Sequence, residues 1–141
     1  MGSRRSARIL ALQALYQIDI GGKNAEEVLS FEWLDKSFDS STIEFARQLV
    51  RGTVHEWDEI DRSIRRQLEN WDLGRVSYVD RAILRFSTYS LFYQDDVPDT
   101  VIINEAIDIA KIFGTDDSYR FVNGVLDGIR KEKEKNREGI P

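Results

Sequence analysis

The run from Val79 to Tyr93, VDRAILRFSTYSLFY, has helical spacing but does not keep its apolar residues to one stripe. Val79, Ala82, Ile83, Phe86 and Tyr93 follow one side, while Leu84, Leu91 and Phe92 occupy others. A helix that is apolar on several sides needs neighbours on several sides. This segment is therefore expected to be the central post of an all-α domain, roughly 27 Å long if it runs from Ser77 to Gln94. Ser77, three residues before Asp80, is placed to cap its first turn, and Pro98 blocks continuation.

The flanking sequence supplies the neighbours. Ile9, Leu12, Leu15 and Tyr16 make a stripe on a first helix expected over 3–20, which Gly21-Gly22 ends. A second helix is expected over 25–36. Ser41 and Glu44 form a capping box ahead of a third over 42–57. Gly52 inside that third helix points to a close approach by another helix. A fourth, amphipathic helix should run from Asp58 or Glu59 to Glu69, with Ile60, Ile64 and Leu68 inward. After the central helix, Pro98-Asp99-Thr100 opens a sixth that Gly114 closes, and Asp116 or Asp117 can cap the last. Gly124 and Gly128 lie four apart on that last helix and invite another close approach. Beyond Arg130 the charged run has no apolar face and is expected to fray. The whole is about seven helices in a single domain, arranged as two small helical-bundle lobes, about 1–70 and about 77–135, joined by a loop over 70–76.

Composition narrows the chemistry. There is no cysteine among the 141 residues, which removes disulfides, thiolate zinc sites and cysteine nucleophiles. The net charge of −5 is unevenly spread: residues 1–18 hold Arg4, Arg5 and Arg8 and no acid, and residues 62–85 hold six arginines against three acids. Such segregation matters more to a polyanionic partner than the total does. Met1-Gly2-Ser3-Arg4-Arg5-Ser6 fits a myristoylation pattern, but an ordinary start or a tag remnant is the expected reading. No secretory core or membrane-spanning run is found, consistent with a cytoplasmic protein.

No nucleophile-base pair, convergent metal-ligand set or phosphate-cradling loop stands out, so neither catalytic activity nor a metal or cofactor is expected. His55, the only histidine, reads as a surface or partly buried residue, and Asp116-Asp117 as helix-capping. Asp95-Asp96 is the other carboxylate pair. Binding remains. Single-stranded RNA is held by arginines on phosphates and by aromatic side chains against unstacked bases. The first helix offers Arg4, Arg5 and Arg8, then Gln13, Tyr16 and Gln17; the turn near Phe121 offers Asp117, Ser118, Tyr119 and Arg120 beside a helix N-terminus.

Several stretches resemble the NusB family of bacterial transcription antitermination factors. They are Arg4-Arg5-Ser-Ala-Arg8 with Ala11-Leu-Gln-Ala-Leu-Tyr16, Val79-Asp-Arg-Ala-Ile-Leu-Arg85, Val97-Pro98, Ile103-Asn-Glu-Ala-Ile107, Ala110-Lys111, Phe113-Gly114 and Phe121-Val-Asn-Gly-Val-Leu-Asp127. They cover nearly the whole chain. The resemblance implies two helical lobes, no catalysis, and binding of boxA RNA together with the small-subunit ribosomal protein NusE. The pair would act with RNA polymerase in an antitermination complex that reads through ribosomal RNA operons. Some family members also form homodimers that cover the arginine arm. By position, Arg4, Arg5 and Arg8 match the family's arginine-rich RNA arm, followed by Tyr16. Asp117, Arg120 and Phe121 match a second RNA-contacting region, and Asp80, Arg81 and Leu84 match the start of the helix where the family docks NusE. This chain departs in Ser6-Ala7, which interrupt the arginines, and in Ser90, where the family often has Glu.

Two alternatives follow from the same residues. One is a stand-alone RNA-binding domain related to ribosomal RNA methyltransferases, without the strand-and-glycine loop that would hold their cofactor. The other is a helical protein-interaction module with no RNA role.

Overall fold

In the computed structural model residues 3–35, 37–69 and 72–139 are described, the side chains of 3 and 137–139 excepted. The Gly2 of the myristoylation pattern, Lys36 of the expected second helix, and Asn70-Trp71 of the inter-lobe loop lie outside them. The described residues are all-helical: α1 Ser3–Asp19, α2 Ala25–Leu29, α3 Ser40–His55, α4 Trp57–Gln67, a 3-10 turn Leu73–Arg75, α5 Tyr78–Tyr93, α6 Asp99–Phe113 and α7 Ser118–Gly139. None is long and apolar enough to cross a membrane.

α5 is the post. It packs against α1, α3, α4, α6 and α7, and Ile83, Leu84, Phe86 and Leu91 are buried on its several sides. Ser77 Oγ accepts from the Asp80 amide at 3.2 Å, as the spacing predicts. Gly52 is where α3 meets this post. A Cβ there would stand 2.2 Å from the Tyr89 ring, so only glycine lets the two helices close.

Three boundaries differ from expectation for local reasons. α2 ends at Leu29 because Phe31 takes a left-handed backbone (φ 56°) and turns its ring inward. The Trp33 indole then donates to the Val28 carbonyl at 2.9 Å, closing the turn. α3 is capped by Asp39, whose carboxylate accepts from the Thr42 amide at 3.0 Å, and Ser41 instead donates to that same carboxylate. α7 stays helical past Arg130 because Lys133 reaches back to the Leu91 carbonyl (2.7 Å) and Asp99 (2.9 Å). Of the two glycines on α7, Gly128 faces Gln67 of α4 closely, while Gly124 has open space.

A buried charge network ties α1 and α4 to the post. Arg85 holds Asp61 with two hydrogen bonds (2.9 and 3.1 Å), reaches Asp19 at 2.9 Å, and lies 4.0 Å from the Trp57 ring centre. Arg81 also binds Asp19 at 2.9 Å and donates to the carbonyls of Gly74 and Val76. Every strong donor has an acceptor, which is the condition for buried charges to be tolerated.

Candidate RNA and partner interface

α1 buries Ala7, Leu10, Ala11, Ala14 and Leu15, which leaves one face for other work. The arm arginines divide by their place on that helix. Arg4 is exposed, with its guanidinium 4.0 Å from the Phe45 ring centre. Arg5 is half-buried and bridges to α6, donating to Glu105 at 2.8 Å and Asp108 at 2.6 Å. Those two carboxylates keep it firmly protonated: the Glu105 hydrogen bond is the strongest influence and Asp108 adds to it. Arg8 differs. It is 4% exposed, 5.4 Å from Phe45, and no carboxylate of the described residues pairs with it. Burial lowers its basicity, Glu105 opposes this, and Arg4 and Arg5 add to the lowering. Its charge is directed toward the protein rather than toward solvent.

Farther along the same face, Gln13 is exposed and Tyr16 is 40% exposed. The Tyr16 ring meets Tyr78, the first residue of α5, with centroids 4.6 Å apart. Beside them is a hollow of about 480 Å³ that also takes in Trp33 and Phe113.

The second region sits at the turn between α6 and α7. Gly114 leaves space for Ser118, whose hydroxyl accepts from the Thr115 amide at 2.9 Å. That hydrogen bond shapes the turn, and none of the described hydrogen bonds gives Asp116 or Asp117 a side-chain capping role. Asp117 and Arg120 are both highly exposed, at 90% and 71% for their side chains, and stand 3.6 Å apart. Tyr119 is flanked by Lys111 and Arg120, 4.9 and 5.0 Å from its ring centre, and Phe121 is half-buried.

The first turn of α5 joins the two regions. Arg75, Ser77, Asp80, Thr115, Asp117 and Phe121 line one cleft of about 350 Å³. Asp80 is 8% exposed, and its Oδ1 has no hydrogen-bond partner among the described residues. Burial raises its carboxyl above the ordinary carboxylate range, partly offset by the Ser118 and Ser77 hydroxyls. Its two companions in the expected docking set are placed otherwise. Arg81 is 8% exposed and committed to Asp19 and backbone carbonyls, and Leu84 is fully buried. Of the three, Asp80 alone reaches this cleft.

Elsewhere, His55 is solvent-facing, 3.0 Å from Glu56. Asp95 and Asp96 are exposed, and no group of three or more metal-ligating side chains occurs among the described residues. Phe45, Tyr78, Glu105 and Asp108 shape these surfaces through contacts that sequence spacing does not reveal. Tyr78 pairs with a residue 62 positions away.

The NusB family model matches residues 5–131. The transcription antitermination protein NusB of Treponema denticola is 48% identical over 131 residues, covering 92% of this chain and 96% of that protein. The protein of the same name from Bacillus cereus is 47% identical over 127 residues, covering 90% and 96%. Among solved structures, T. maritima NusB superposes with a TM-score of 0.84 at 43% identity, covering 95% of this chain and 96% of that one. A crystal structure of antitermination factors NusB and NusE in complex with dsRNA contains a chain that matches at TM-score 0.77 and 28% identity, covering 92% and 97%. The chain belongs to the NusB family.

Proposed function

We propose that this chain is a transcription antitermination factor. It binds boxA-type single-stranded RNA together with the small-subunit ribosomal protein NusE and promotes read-through in ribosomal RNA operons as part of an RNA polymerase complex. It works in the cytoplasm as an adaptor, without a catalytic step, cofactor or metal. The observation that carries this reading is the outer side of α1, where Arg4, Gln13 and Tyr16 are exposed along one helix. Cations for phosphates, amides for base edges and a ring for stacking are what an unpaired strand requires. The similarity to NusB proteins, one of them solved with NusE and dsRNA, supports the same reading.

Within it, Arg4 neutralises phosphate, Arg5 ties α1 to α6 through Glu105 and Asp108, and Arg8 holds the arm in place from beneath. Asp117, Tyr119, Arg120 and Phe121 extend the RNA surface. Asp80 is the docking contact for NusE, with Arg81 and Leu84 fixing its helix from inside. We further propose two lobes, α1–α4 and α5–α7, with α5 as the shared wall.

The test is the salt dependence of RNA binding. One phosphate contact should contribute roughly 0.7 to the slope of log affinity against log salt for a single strand. Changing Arg4 to Ala should remove that much; an unchanged slope would reject the arm.

A further inference from the structure

We propose that Lys111 and Arg120 form a clamp for one phosphate of the bound RNA, with the Tyr119 ring as the post that holds both cations. This rests on the RNA-binding function proposed above and adds a binding residue, Lys111, on α6. The Lys111 ammonium lies 4.9 Å and the Arg120 guanidinium 5.0 Å from the centre of the same ring. Tyr119 itself is half-buried and packed against the core, so the ring is a fixed support. A cation over a tyrosine face is attracted by the ring, but two cations over one ring repel each other. An anion between them removes that repulsion.

The positive charge is not spent within the chain. Lys111 is exposed, and no carboxylate of the described residues pairs with it. Asp108, one turn earlier on α6, is held by Arg5 at 2.6 Å. Asp117 stands 3.6 Å from Arg120, and with both side chains largely in solvent that contact is weak. Arg120 is therefore free to turn its fork to a phosphate, whose two unbridged oxygens suit a guanidinium and an ammonium together.

Continuity with the proposed RNA surface selects a phosphate backbone over an acidic protein segment. α6 sets Asp108 against the arm on α1 and Lys111 against the first turn of α7, so Lys111 stands between the two regions proposed for RNA. A strand crossing from one to the other brings an anion at every nucleotide, and the clamp meets one of them.

The test uses the full chain with NusE and a short boxA RNA, titrated by fluorescence anisotropy at several salt concentrations. Lys111→Ala should weaken binding and lower the slope of log affinity against log salt by about 0.7. The loss should be alike for RNAs of different sequence, because a phosphate contact reads no base. Lys111→Arg should keep the slope. Tyr119→Phe retains the ring and should stay within about twofold of the parent, whereas Tyr119→Leu should weaken binding at least as much as Lys111→Ala. Thermal unfolding of each variant accompanies the titration. Parental affinity and slope in Lys111→Ala overturn the clamp and leave the RNA function standing. So does a Lys111→Ala loss confined to NusE binding measured without RNA, which would assign the two cations to an acidic protein segment. A parent chain that binds no RNA overturns both.

Discussion

Arg85 and Asp61 face each other as a two-pronged pair, Nε to Oδ1 at 2.9 Å and Nη2 to Oδ2 at 3.1 Å, with both side chains almost wholly buried. The pair joins α4 to the central helix, and Asp19 draws α1 into the same network. Removing one partner strands the other charge away from water. Asp61→Ala should therefore destabilise the fold by about 3–5 kcal/mol. Asp61→Leu combined with Arg85→Met should lose less than Asp61→Ala. Chemical denaturation of the two variants checks this.

Gly52→Ala separates helix propensity from packing. In an open helix the change would stabilise by about 1 kcal/mol. Here the new methyl meets the Tyr89 ring, and a net loss of about 1–3 kcal/mol is expected. In a Tyr89→Leu background the loss should shrink, which the same denaturation curves would show.

Asp80 carries a pH signature. Its carboxyl ionises at higher pH in the folded chain than in the unfolded one, because burial disfavours the charge. The folded state thus binds more protons across that interval, and the stability contribution falls as pH rises through it. Asp80→Asn removes the ionisation. Its melting temperature relative to the parent should be higher at pH 7 than at pH 3.5, a difference that thermal scans at the two values would measure. NusE affinity should fall in the same variant. A residue that burdens the fold while serving a binding site is a common trade.

The arm should split by residue. Arg8 is buried and Arg4 is not. Arg8→Ala should lower stability by about 1–3 kcal/mol through lost packing and an exposed Phe45 edge. Arg4→Ala should change stability by less than about 0.5 kcal/mol and act on RNA affinity alone. Parallel melting and RNA titration of the two variants would decide between these roles.

Much of the fold was legible because it is written in local pattern. The apolar residues of α5 on several sides, the Ser77 cap and the Gly52 approach all follow from spacing within one segment. The end of α2 was not legible, since it depends on Phe31 adopting a backbone conformation that its residue type disfavours. Nor was the persistence of α7, which depends on Lys133 reaching Leu91 and Asp99. The site divides the same way. Arg4, Gln13 and Tyr16 could be placed on one helix from the sequence, but pattern cannot say that Arg8 turns inward or that Arg81 is spent on Asp19. Such outcomes are set by residues far apart in the chain, as in the Arg81–Asp19 pair, 62 positions apart.

Joint recognition of RNA by this chain and NusE is the central element of the proposed function. The decisive measurement is the affinity for a short boxA RNA of the chain alone and of the chain saturated with NusE, at one fixed salt concentration. Binding is expected in both cases, tighter with NusE and weakened again by Asp80→Asn. No RNA binding in either case, or an affinity indifferent to NusE, would contradict it.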